Sequence, residues 1–325
     1  MEDFEQQFTK VNYTLQKYGW ALTPFIIGFE FQKIFKLVEE INANESPNFQ
    51  EQEFFQNRLT LLLTDIIFTP NTRAFFVCRA KEVKHIQKFS HHLERAMLHY
   101  YDGDYFSTVL CLLPAVEGSL LSYYGWNFGN TRKPAISKLV SEVGKCREKT
   151  FNPRHYKMYG KILSEFLENW IFSDTSTADT TFSYLNRHYV LHGMGNNNYY
   201  SIMDANRLLM FFDLFIEFLS LEQRINYNFI PDPGKNISLD NRSDYYFKIL
   251  TKNVTREEVL RTERAFMREN KYYTEEPNIP DFRLMMGRSV KEHIERMNEL
   301  GIKVKKPSLY EIIKYILFKN KRSAK

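Results

Sequence analysis

Glycine and proline are scarce in this chain, 13 and 11 among 325 residues. A sandwich or barrel of short strands needs such residues at each turn, so their shortage argues against one and for long helices. Cysteine is scarcer still. Cys78, Cys111 and Cys146 stand far apart, with neither zinc-ligand spacing nor the even count of a disulfide framework. They read as buried or idle thiols in a reducing compartment. Long apolar runs are missing too: the most apolar stretch, Leu208–Leu221, is interrupted by Asp213 and Glu217 and is too short to cross a bilayer. The polar opening, Met1–Lys10, lacks a charged-then-apolar signal segment. A cytoplasmic protein with no membrane partner is the expectation. Neither a phosphate-cradling G-x-x-x-x-G-K-[ST], nor a G-x-S-x-G elbow, nor a dinucleotide-binding fingerprint occurs.

Aromatic residues are plentiful, with 28 Phe and 20 Tyr in a composition that is 43% hydrophobic, enough to build a buried interior. The net charge of +5 is unevenly placed. From Pro231 onward there are 21 Lys+Arg against 14 Asp+Glu, a balance of +7, which leaves −2 for the first 230 residues. A basic C-terminal third on a near-neutral body suits an anionic polymer, and solvated helix surface is the plainer alternative.

Apolar periodicity predicts helices over Phe25–Ile41 and Phe54–Phe68, the second stopping at Thr69-Pro70. A helix over Val83–Tyr101 leads to the turn Asp102-Gly103-Asp104, whose last Asp caps a long buried helix, Tyr105–Tyr124. Glu117 is the only acidic residue of that helix, and Pro114 should kink it or remove a backbone bond. Helices over Ile136–Arg147 and Tyr156–Phe172 follow, then a polar stretch, Ser173–Thr181. Met203–Ile225 is apolar nearly all round, as a central bundle helix would be. Ile230–Gly234 reads as a linker, and amphipathic helices are expected beyond it near Tyr245–Lys252, Arg256–Asn270, Ser289–Leu300 and Ser308–Lys319, with a short strand at Gly301–Val304. The expectation is an all-α helical bundle in three regions: 1–82, 83–230 and 231–325.

The stretch Asn186-Arg187-His188-Tyr189-Val190-Leu191-His192-Gly193 carries the most chemistry. Cutting RNA without a metal requires a base for the 2′-hydroxyl proton, a donor for the phosphate charge and an acid for the leaving 5′-oxygen. Histidine titrates near neutrality and suits the proton steps. Arginine stays charged and donates in pairs. Arg187 and His192 supply those groups, His188 or Asn186 adds a polar contact, and Glu117 is placed to orient an imidazole if the two helices meet. On an ideal helix, however, five residues turn the chain so that Arg187 and His192 point about 140° apart. Either the arginine curls round the helix, or the helix distorts near its glycine end, or two copies meet in a symmetric dimer that lines one cleft with both sets. The dimer is the favoured route, because it also gives the buried, aromatic helices a partner. His188 and His192 at i,i+4 also have the spacing of a metal pair, but Tyr189 stands where a zinc protease needs Glu and no third ligand is evident. Neither metal nor cofactor is therefore expected. A surface ion-pair arginine with a helix-capping histidine is the plain alternative.

The run from Arg187 to His192, preceded by Asn and followed by Gly, resembles the R-x(4–6)-H signature of the HEPN superfamily. Upstream, Asp102-Gly103-Asp104-Tyr105 leading into Leu112–Gly118 is similar to the helix pair that precedes the motif in larger bacterial members. The likeness covers residues 83–225. It implies a metal-independent endoribonuclease acting as a homodimer, with Arg187 and His192 as the catalytic pair, His188 as the polar neighbour and Glu117 in support. It also implies a setting in phage defence or toxicity, with tRNA or mRNA as the RNA and an inhibitory or sensing partner. A non-catalytic helical adaptor dimerising through the same helices is the alternative function, and nucleic-acid binding by the C-terminal third is a further one.

Overall fold

The computed structural model describes residues 4–24, 26, 29–44, 46–126, 132–145, 150, 152–176, 185–192, 201–225 and 239–253. These residues are mostly helical, with no strand among them. In chain order the helices are α1 (Phe4–Gln16), α2 (Phe29–Asn42), α3 (Phe49–Ile67), α4 (Pro70–Ala80), α5 (Ser90–Tyr101), α6 (Tyr105–Tyr124), α7 (Ile136–Gly144), α8 (Pro153–Phe166), α9 (Arg187–His192) and α10 (Ile202–Gln223). Residues 239–253 form α11. The all-α expectation holds.

The core is organised around α10, whose residues Ile202 and Asp204–Ser220 are all buried. Two opposite faces of this helix do different work. Phe211, Phe215 and Phe218 recur at i, i+4 and i+7, so they form one stripe. That stripe stacks on Phe166 and Tyr156 of α8, with ring centroids 5.7 Å and 4.3 Å apart, and meets Tyr123 of α6 edge-on at 5.9 Å. The other face carries Asn206, Asp213 and Glu217, which turn to α3 and α4. Asn206 donates to Thr64 at 3.0 Å, Asp213 takes a two-pronged bond from Arg73 at 2.7 and 3.2 Å, and Glu217 pairs with Arg79. Arg73 and Asp213 are both almost wholly buried, so each charge depends on the other for solvation. Burial pushes the Asp213 carboxyl up and the Glu217 carboxyl up to about 7, each against the pull of its arginine.

Because α3 and α4 supply the partners of α10, they share one core with it. Residues 1–279 form one compact unit, and 280–325 a second that lies outside the described residues. The start of the C-terminal region is also part of the first unit. Arg242 and Tyr246 of α11 both bond to Glu94 of α5, at 2.7 and 2.8 Å. The expected linker at Ile230–Gly234, the helices beyond residue 253 and the strand at Gly301–Val304 fall outside the described residues.

Several boundaries differ from expectation for local reasons. Asn48 and Glu51 form a reciprocal capping box, so α3 starts at Phe49 rather than Phe54. Thr69-Pro70 ends α3 but also starts α4: Thr69 accepts from the Thr72 N–H, and Pro70 takes the first helical position. Residues 83–89 do not join α5. His85 sits at φ 74°, held by a 3.1 Å contact with Ser122 and an edge-on contact with Tyr123, and this breaks the helix.

Helix α6 runs without interruption through Pro114, whose ring lies on the exposed side. It starts at the Asp104 cap, which accepts from Ser107 N–H at 3.0 Å, and ends at Gly125 with φ 86°. Its length and hydropathy would suit a membrane span, although 56% of that window is buried within the fold. It packs between α5 and α10.

Candidate functional site

The motif helix α9 is six residues long and begins at Arg187 itself. Asn186 is its cap. The Asn186 side-chain oxygen accepts from the N–H groups of His188 and Tyr189 at 2.9 and 3.4 Å, and its carbonyl accepts from Val190 N–H at 3.1 Å. Its amide nitrogen donates to the backbone oxygen and the hydroxyl of Ser173, at 2.6 and 3.0 Å. The side chain is buried and fully engaged, so it serves as a helix anchor rather than as a group facing a substrate. Leu185 and Val190 hold the same side by burial, and the Tyr189 hydroxyl donates to Thr175 O at 2.7 Å.

Arg187 projects onto α6. Its Nε donates to Glu117 Oε2 at 2.6 Å. The other carboxylate oxygen, Oε1, accepts from the ammonium of Lys133. Side-chain exposure rises from 12% at Glu117 through 23% at Arg187 to 45% at Lys133. The carboxylate therefore forms a floor and the two cations a rim. Gly118, next to Glu117, leaves room for the Phe89 ring: a Cβ there would stand 2.4 Å from it.

The expected site residues are thus brought together in part. Glu117 contacts Arg187 across two helices through its Oε2. His188 is exposed, one position along. His192 closes α9, and its side chain lies outside the described residues. Lys133 is a site residue that the sequence does not single out. Its only local signal is a basic pair, Arg132-Lys133, directly after a glycine-containing stretch. No group of three His, Cys, Asp or Glu placed to hold a metal ion occurs among the described residues. A groove of about 660 Å³ between α1 and α8, lined in part by Lys10, Tyr13, Lys157 and Met158, shares no residue with this site.

Comparison of the chain with protein-family models, with curated proteins and with solved structures finds no match.

Proposed function

We propose that the protein is a metal-independent endoribonuclease of the HEPN type, acting as a homodimer on RNA such as tRNA or mRNA. The observation that carries this reading is Arg187. Its Nε is fixed by Glu117, while its terminal nitrogens have no partner among the described residues. A planar cation anchored at one edge and open at the other suits a phosphate that takes two parallel hydrogen bonds. In the reaction, a base removes the proton of the 2′-hydroxyl and the 2′-oxygen attacks phosphorus. The bond to the 5′-oxygen breaks as an acid protonates it, leaving a 2′,3′-cyclic phosphate and a 5′-hydroxyl. Arg187 offsets the charge that builds on the phosphate. His192 handles a proton, and a second copy supplies the complementary imidazole. The outward-facing His188 and Leu191 of α9 provide the surface on which that copy would set its own α9. The basic balance of residues 231–325 supplies long-range attraction for RNA. A cytoplasmic setting in phage defence or toxicity, under an inhibitory or sensing partner, completes the reading.

The test is cleavage of RNA by the purified full chain in excess EDTA. Cyclic-phosphate and 5′-hydroxyl ends are expected, with loss of cleavage in Arg187→Ala and in His192→Ala. Cleavage that needs an added metal, or that survives both substitutions, overturns the reading.

One observation favours a second reading. Asn186, Arg187 and Tyr189 all bond into the body of the protein, as a motif kept for architecture in a non-catalytic adaptor would. Induced expression separates the two. Growth arrest that disappears in both Arg187→Ala and His192→Ala supports the nuclease, whereas parent-like behaviour of both variants supports the adaptor.

A further inference from the structure

We propose, resting on the nuclease reading above, that Lys133 is the second cation of a two-pronged grip on the scissile phosphate, set in place by Glu117. Arg187 and Lys133 come from different parts of the chain, 54 positions apart by their numbers, yet they occupy the two oxygens of one carboxylate. A carboxylate and a phosphodiester have the same feature in common: two equivalent oxygens sharing one negative charge. Two cations spaced to fit the first are therefore spaced to fit the second. Glu117 meets them from the floor, at 12% exposure, and a phosphate would meet them from the open side.

The donors remaining support this. Arg187 uses Nε on Glu117, and Lys133 uses one of its ammonium hydrogens; both keep further N–H donors, and neither has another partner among the described residues. Two cations around one carboxylate leave a net positive charge, so an anion is attracted and not repelled. Without Glu117 the cations would push each other apart; with it they stay paired and only part of their charge is cancelled. Lys133 would thus bear on one non-bridging oxygen and Arg187 on the other, where charge develops as the 2′-oxygen attacks.

The experiment measures binding of a fluorescent single-stranded RNA, 2′-O-methylated throughout so that it lacks the nucleophile, to the full-length protein across a salt series. Lys133→Ala should bind about tenfold more weakly and should lower the slope of log affinity against log salt by about 0.7, the value for one lost phosphate contact on a single strand. Lys133→Arg should restore both. Arg58→Ala is the control, because Arg58 is similarly exposed and also pairs with a carboxylate, that of Glu40; it should change neither. Unaltered affinity and slope in Lys133→Ala, with a parent that binds and cleaves RNA, overturns the role of Lys133 and leaves the nuclease reading standing. A parent that neither binds nor cleaves RNA overturns both.

Discussion

Glu117 and Arg187 stand 70 residues apart in the chain and 2.6 Å apart in the fold, joining the middle of a buried helix to the first residue of the motif helix. The contact does two things at once. It ties α9 to α6, and it fixes which edge of the guanidinium faces outward. Under the proposed nuclease function, a carboxylate in that position would act through the arginine, as a positioning residue.

Glu117→Gln should separate positioning from binding. The amide keeps an acceptor for Arg187 Nε but loses the charge that holds Lys133 beside it. Removing a negative charge from a phosphate site favours binding and offsets the loosened hold on Lys133, so affinity for the non-cleavable RNA should change little. Turnover should fall by up to about 100-fold, the scale expected when a catalytic group is slightly misplaced. Single-turnover rates and binding measured together check this. Parallel losses in both would mean that Glu117 merely holds the fold.

Asn186→Ala should be a stability variant. It removes the cap of α9 and both bonds to Ser173, which is expected to cost about 1–2 kcal/mol, the upper end for a lost cap. Asn186→Asp keeps the capping oxygen but sets a carboxylate oxygen against Ser173 O, where a donor stood, so it too should be less stable than the parent. Urea unfolding ranks the three. Hydrogen exchange at the His188 and Tyr189 amides should speed up most in the alanine form, and equal protection in all three would rule out the capping role.

How much of this was legible in the sequence depends on the range of the interaction responsible. The central position of α10 was legible because a helix apolar on nearly every side must be covered on nearly every side by its neighbours. Asp104 and Gly125 marked the ends of α6 through local bonds. Thr69-Pro70 was harder, since a residue pair that stops one helix also caps and starts the next. His85 was not legible at all: its left-handed backbone answers to Ser122 and Tyr123 on another helix. The site divides in the same way. Arg187, His188 and His192 form a contiguous pattern. The pairing of Glu117 with Arg187 and Lys133 is a tertiary fact that spacing cannot reveal, and Lys133 is hidden for that reason. Asn186 carried a capping signal that its place beside the arginine disguised.

Asp213→Ala should be among the most damaging core substitutions. It strands the Arg73 guanidinium, whose Nε also bonds to Ile67 O at 3.0 Å and whose face lies over Phe76 at 4.4 Å, inside a nearly sealed interior. Leaving one buried charge uncompensated costs about 3–5 kcal/mol. The double variant Arg73→Met, Asp213→Leu removes both charges and should recover much of that loss. Thermal and urea unfolding of the singles and the double form a complete cycle. A double variant no better than Asp213→Ala would show that the pair contributes more than mutual solvation.

Glu217 gives the fold a pH dependence of definite sign. Burial raises its carboxyl from 4.5 to about 7, with Asp213 one turn away pushing in the same direction and Arg79 pulling the other way. Tyr159 of α8 also feels the Glu217 charge, which raises the tyrosine further above its ordinary value. Between the unfolded value of 4.5 and the folded value near 7, the folded protein binds more protons at this position than the unfolded chain does, so stability must fall as pH rises. The contribution is complete below the unfolded value and disappears as pH passes through the folded one. Asp213, also raised by burial, adds a slope of the same sign at its own titration. Other groups titrate in this range, so the difference between parent and Glu217→Gln isolates the effect. The glutamine keeps an acceptor for Arg79 and cannot ionise. Its urea midpoint should approach or pass that of the parent as pH increases from about 5 to 8, because only the parent must then carry a charge into the core. A constant gap between the two proteins across that range would show that Arg79 holds Glu217 ionised throughout, and that the buried pair is a fixed ion pair with no part in the pH response.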